Sequence, residues 1–127
     1  MKYSIEAGDE FLHVTVSGRE SDLPPSDLCR MVLAESTRLK RPRILIELDQ
    51  QAPLSPVSQY QLVSRLPDLG LTPGQRIALV HRREEHQKAN EYIDTVGNAR
   101  GVAVRNFPSA QAAKDWLRNS GTEPELR

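Results

Sequence analysis

The stretch from Arg43 to Ser58, RILIELDQQAPLSPVS, constrains the fold more than any other part of the chain. Its apolar start, Ile44-Leu45-Ile46, suits a strand covered on both faces, because no polar residue interrupts it. Polar residues 49–51 end that strand, and Ser55-Pro56 offers an N-cap and an N1 proline for a following helix. In α/β proteins, such a strand-to-helix loop is where ligands or phosphoryl groups usually bind. We therefore expect the functional region here.

The remaining strands are predicted from alternation and from short apolar runs. Residues 2–7 and 11–16 alternate between apolar and polar side chains on either side of Gly8-Asp9, which predicts an antiparallel hairpin. Apolar runs at 77–80 and 102–104 predict two further buried strands. With the central strand, the sheet would have five strands.

Helical spacing of apolar residues predicts four helices between these strands. The first helix is predicted to stop at Arg41-Pro42, the second before Pro67, and the third at Gly97 or Asn98. Ser109 is predicted to cap the fourth. The predicted core stripe of the third helix consists of Ala89, Tyr92, Ile93 and Val96.

The predicted order of elements is β-β-α-β-α-β-α-β-α. Strands that alternate with helices imply right-handed crossovers, and the opening hairpin adds one antiparallel strand near the edge. The fold class is therefore α/β, with a single domain built on a mixed, mostly parallel, five-stranded sheet and four helices. This domain spans residues 1–119, and the polar residues 120–127 are predicted to form a flexible tail.

Composition narrows the classes of function. The 127 residues include 17 basic and 17 acidic side chains, so zero net charge gives no electrostatic reason to expect binding to nucleic acid or to an anionic membrane. No apolar run approaches a membrane span and no signal core begins the chain, so a cytoplasmic location is expected. The single Cys29 can form neither an internal disulfide nor a zinc site, and we interpret it as a packed thiol. Near-zero charge also eases self-association, which favours a homodimer as a further expectation.

The closing stretch from Arg105 to Leu117, RNFPSAQAAKDWL, resembles the last strand and the Ala-x-x-Trp-Leu helix of the SpoIIAA-like (STAS/SEC14-like) proteins. The strands at 44–49 and 77–80 also fall where that family has them. The resemblance implies a mixed-sheet domain with four helices and no conserved catalytic apparatus. No cofactor is predicted.

The same resemblance implies a mode of regulation. The anti-sigma-factor antagonists of this family bind a kinase partner and are switched by phosphorylation of a serine. That serine begins the helix after the central strand, in an Asp-Ser-Ser/Thr-Gly type motif. Residues 49–58, DQQAPLSPVS, lack the Ser-Gly pair, and Ser55 and Ser58 are the nearest hydroxyls. The SEC14-like side of the resemblance implies a pocket for an apolar ligand.

Several polar residues near the central loop are candidates for chemistry. Ser55 fits an N-cap, and a phosphate at the same position would be favoured by the helix dipole. His81 and Arg82 follow a buried strand, and the arginine could receive an anionic group or an acidic partner, although a solvated charged turn is the commoner explanation. The spacing in H-R-R-E-E-H does not match His-Glu-x-x-His, so no metal site is predicted. Asp49 could act as an acid or base, but it has no paired carboxylate in sequence.

Three functions are compatible with these residues. The first is a non-enzymatic regulatory or protein-interaction module that binds a protein partner along the edge holding Asp49, Ser55, Ser58, His81 and Arg82. The second is a binder of a small apolar or lipid-like ligand between the sheet and the helices, in a pocket lined by Leu54, Val57, Tyr60 and Tyr92. The third is an enzyme that uses Asp49, Ser55 and His81. No phosphate-binding glycine loop and no nucleophile elbow is present, so we predict a non-enzymatic module.

Overall fold

The computed structural model describes residues 2–18, 25–50, 56–81 and 92–119. The predicted tail at 120–127 therefore lies outside the described residues. The strands are β1 (Lys2–Ala7), β2 (Leu12–Gly18), β3 (Arg43–Gln50), β4 (Arg76–His81) and β5 (Val104–Phe107). The helices within the described ranges are α1 (Pro25–Arg38), α2 (Pro56–Leu69), α3 (Tyr92–Arg100) and α4 (Ala110–Asn119).

The five strands form one sheet in the order β1-β2-β3-β4-β5. β1 pairs antiparallel with β2, and every later pair is parallel, which confirms the predicted mixed sheet. Successive right-handed crossovers that advance in one direction put their helices on the same face of the sheet. The main core accordingly joins α1, α2 and α3 to that face, here called the first face. Its largest fully buried members are Leu12, Val14, Val16, Val32, Leu33, Ile44, Val63, Leu66 and Ile93.

A smaller core lies on the opposite face, here called the second face. α4 packs there against β3, β4 and β5. Ser109 caps α4 as predicted, because its Oγ accepts the backbone N–H of Ala112 at 3.2 Å. The buried members of this core are Phe11, Leu45, Ala78, Val80, Phe107, Ala113 and Leu117. Among the described residues, three helices thus cover the first face and one helix, α4, packs on the second face.

α1 and α2 end at different residues from those predicted. α1 ends at Arg38, because Lys40 takes a left-handed conformation (φ 57°) and the Arg41 N–H bonds back to the carbonyl of Ser36. α2 begins at Pro56 as predicted, but it continues through Pro67 to Leu69. The extra turn buries Leu69 in the main core, which offsets the hydrogen bond that a proline inside a helix removes.

The prediction for the end of α3 was also wrong. The helix continues to Arg100, and Gly101 ends it in the left-handed region (φ 69°). Gly97 instead lies inside the helix, where a Cβ would come within 3.0 Å of the Val104 side chain. β5 begins only at Val104, two residues later than the predicted run, because residues 101–103 complete the turn out of α3.

Two side chains depart from the predicted core, and one agrees with its interpretation. The helical spacing of Leu28, Met31, Val32 and Leu39 predicts Met31 for the core as well. Tyr92 is 41% exposed and Met31 36% exposed, since the helical stripes that reach the core are narrower than the apolar patterns in the sequence. Cys29 packs against the main core, and its burial raises the pKa of the thiol to about 12. The interpretation of Cys29 as a packed, unreactive thiol agrees with both observations.

Candidate functional site

The residues predicted to share one site lie on two faces of the sheet. His81 is in register with Leu48, which packs against the main core, so His81 lies on the first face. Asp49 follows Leu48 along β3 and lies on the second face, because successive side chains of a strand alternate. Ser55 and Arg82 lie outside the described residues, as does the side chain of Ser58, which stands in the first turn of α2. The structure therefore does not bring Asp49 and His81 together.

His81 belongs to a polar network that connects β4, β5 and α3. Its ring is buried, and its Nε2 lies 2.7 Å from Oδ1 of the buried Asn106. Asp94 of α3 accepts the backbone N–H of Asn106 at 2.6 Å through Oδ1. An amide oxygen can only accept, so this orientation of Asn106 places the ring proton of His81 on Nε2. The network satisfies polar groups that would otherwise be costly to bury.

Hydrogen bonds within the chain also engage the backbone N–H groups at the free edge of β5. The N–H groups of Val104 and Asn106 both point away from β4, since the Ile77 N–H pairs with the carbonyl of Ala103. Val104 donates to the carbonyl of Val102 at 2.9 Å, and Asn106 donates to Asp94. A groove of about 630 Å³ runs along this edge between α3 and Trp116. Because both outward donors are already bonded within the chain, the groove is poorly suited to the addition of a peptide strand.

Part of the second face is a polar surface that α4 leaves uncovered within the described residues. Its cross-strand rows follow from the register, in which Ser4 pairs with Thr15, Thr15 with Glu47, and Ser17 with Asp49. We call this surface the open face. Its members are Ser4, Glu6, His13, Thr15, Ser17, Glu47 and Asp49, all of which are half-buried or exposed.

A short side-chain contact on the open face joins β2 and β3. The Nε2 of His13 lies 2.5 Å from Oε2 of Glu47, and the two side chains are 38% and 20% exposed. Alternation of residues 11–16 predicts that His13 lies on the more polar face, but the sequence indicates no role for it. Glu47 was not predicted as a site residue, although alternation along β3 would place Glu47 and Asp49 on the same face. Sequence alone carried no signal for Asn106 or Asp94, because their pairing depends on how α3 lies against β5.

The residues proposed for an apolar pocket lie at the surface. Val57 is 64% exposed and Tyr60 and Tyr92 are each 41% exposed, while Leu54 lies outside the described residues. The hydroxyl of Tyr60 bonds to Arg100, whose guanidinium also lies over the tyrosine ring. These three side chains therefore do not enclose a cavity between the sheet and the helices.

Within the described ranges, no group of three or more His, Cys, Asp or Glu side chains is placed to hold a metal ion. Nor does any helix there combine the length and the apolar character needed to cross a membrane. The chain matches no protein family, no curated protein and no solved structure. The site must therefore be interpreted from its own geometry.

Proposed function

We propose that this chain is a non-enzymatic, STAS-like protein-interaction module that binds a protein partner through the open face. One observation supports this proposal more than any other. Parallel strands are normally covered on both faces, yet among the described residues the parallel pair β2–β3 has one helix, α4, on the second face, and it packs against β3. A partner that covers the open face would complete the usual arrangement.

The chemistry of the open face indicates the kind of partner. Three of its seven members are carboxylates, namely Glu6, Glu47 and Asp49, while His13 is a member and Lys2 stands in register with Ser17 at the border of this face. A partner surface with lysine or arginine would complement this charge, which mainly improves specificity and the rate of association. Asp49 is one of the residues that the sequence assigned to the interface.

The SpoIIAA-like resemblance gives secondary support. The order of elements and the mixed sheet are those that the resemblance implies. Phosphorylation of Ser55 or Ser58 stays a prediction, as does a contact through Arg82. A regulatory role through these residues is part of the proposal.

Site-specific photo-crosslinking in the host cell tests the proposal. A benzophenone side chain at Thr15, on the open face, is compared with one at Gln61, which is exposed on α2 at the first face. We expect a discrete adduct from Thr15 only, and its mass distinguishes a different protein from a second copy of the 14.3 kDa chain. The same bands from both positions, or none from Thr15, would contradict the proposal.

A charge reversal refines this experiment. Asp49→Lys introduces repulsion toward a basic partner, and Asp68→Lys makes the same change at an exposed position of α2. We expect the Thr15 adduct to weaken in the first variant and to persist in the second. Circular dichroism of both purified variants establishes that each remains folded. Equal adducts in the two variants would exclude a basic partner at Asp49.

A further inference from the structure

Three turns meet at the amino-terminal edge of the parallel strands and form a cleft of about 320 Å³. The turns are those between β1 and β2, between α1 and β3, and between α2 and β4. Arg41 ties the first two together, because its Nε donates to the carbonyl of Gly8 at 2.7 Å. The N–H of Arg76 donates to the carbonyl of Pro42 at 2.9 Å and connects the third. The walls of the cleft are thus fixed by hydrogen bonds across the sheet edge.

The charged lining of this cleft is mainly basic. Its cations are Lys40, Arg41, Arg43 and Arg76, and its carboxylates are Asp9 and Glu10. Four cations against two carboxylates leave an excess of two positive charges, in a chain whose net charge is zero. The cleft is therefore a local exception to the balanced charge of the protein.

One of the two carboxylates is already engaged. Glu10 pairs with Arg118 at 3.1 Å, and this hydrogen bond, helped by the charges of Arg118, Arg43 and Lys114, lowers the pKa of Glu10. Glu10 therefore neutralises Arg118 as well as the cleft. The cations that line the cleft are therefore balanced by less negative charge than a count of two carboxylates suggests.

Arg43 and Arg76 bring two positive charges to neighbouring positions in the lining of the cleft. The two residues are directly in register on β3 and β4, and like charges at such positions repel. The guanidinium carbon of Arg76 lies 5.4 Å from the centroid of the Trp116 ring, a cation–π contact that helps to hold this side chain in place. An anion bound between the two arginines would attract both side chains.

We propose that this basic cleft binds an anionic oxygen group of the phosphate type, with Lys40, Arg43 and Arg76 as its ligands. Guanidinium groups suit phosphate because they donate parallel hydrogen bonds to two oxygens. The cleft lies at the end of β3 opposite to Asp49, so this inference does not depend on the partner proposed for the open face.

Amide NMR titration tests the inference. The ¹⁵N-labelled protein is titrated with inorganic phosphate and, separately, with phenyl phosphate, at an ionic strength held constant with sodium chloride because screening would otherwise shift the signals. We expect saturable shifts at residues 40–43 and 74–76. Equal affinity for the two probes indicates a free anion, and tighter binding of phenyl phosphate indicates an esterified phosphate. Shifts that fail to saturate would overturn the inference.

Three variants make the test specific. Arg43→Gln is expected to weaken binding about tenfold, since it removes a charge-assisted hydrogen-bond donor. Lys40→Gln, at an exposed position, should weaken binding less without affecting the fold. Arg30→Gln changes an exposed arginine of α1 and should have no effect. Equal affinity of the Arg43 and Arg30 variants would refute the assignment.

A fourth variant should act in the opposite direction. Asp9→Asn removes a negative charge from the rim of the cleft, so phosphate should bind about twofold to threefold more tightly. A basic rim that serves only to keep the protein soluble would not show this gain. Unchanged or weaker binding by Asp9→Asn would count against an anion site.

Discussion

Replacement of Gly97 by alanine should destabilise the protein, although the same change inside a helix is usually favourable. Alanine gains about 1 kcal/mol over glycine through helix propensity. At Gly97, however, the new Cβ would lie 3.0 Å from Cγ1 of Val104, 3.1 Å from its carbonyl oxygen and 3.2 Å from the carbonyl oxygen of Val102. These atoms are held in place, because Val102 bonds to the Gly97 carbonyl at 2.8 Å and Val104 bonds to Val102.

Overpacking of this kind costs about 1–3 kcal/mol, which exceeds the propensity gain on average. We expect a net loss of about 1 kcal/mol in the free energy of unfolding. For a chain of this length, that loss lowers the midpoint of thermal unfolding by about 4 °C. Differential scanning calorimetry of Gly97→Ala measures the change directly.

Gly74→Ala is the matched control. Gly74 has no positive φ, and no described atom lies within 4 Å of the position that the new methyl group would take. Alanine there should therefore leave the unfolding midpoint unchanged or raise it slightly. If Gly97→Ala is as stable as the wild type or as Gly74→Ala, then α3 does not pack against β5 as closely as described.

Two further predictions concern buried polar chemistry. Asp94→Ala should lower the free energy of unfolding by about 1–3 kcal/mol, because the buried Asn106 N–H loses its acceptor. Asp94→Asn is the control, since it keeps an acceptor oxygen. If urea titrations show that both variants lose the same free energy of unfolding, the loss of the acceptor is not the reason. Cys29, with a pKa of about 12 in place of 9.0, should react with iodoacetamide at pH 8 roughly a thousandfold more slowly in the folded protein than in denaturant. Rapid alkylation of Cys29 under native conditions would mean that its helix face opens.

The sequence predicted the sheet well because its signals are local. Alternation in β1 and β2 and the apolar runs of β3 and β4 depend on neighbouring residues, and those strands lie within a few residues of the predicted positions. The end of α3 was mispredicted at Gly97 because glycine serves two purposes. It can end a helix or permit close packing, and only the position of Val104 distinguishes the two.

The candidate site was less predictable for a geometrical reason. The sequence places Asp49 and His81 at the same edge of the sheet, and the structure agrees. The face of the sheet on which each side chain lies, however, depends on the register between β3 and β4. No local sequence pattern indicates that register. The sequence did not predict the basic cleft for a similar reason. Lys40, Arg43 and Arg76 belong to two separate segments of the chain, which lie side by side only in the folded sheet.

The strand order has a consequence for how the chain reaches its native state. Each strand pairs with the strand before it in sequence, so each pairing closes only the loop between two consecutive strands. Sheets in which a late strand inserts between two early ones must wait for distant segments to meet. Here the hairpin β1–β2 can form first, and β3, β4 and β5 can be added one at a time. Low separation between contacting segments is associated with rapid folding, and we expect this chain to fold quickly for a largely parallel sheet.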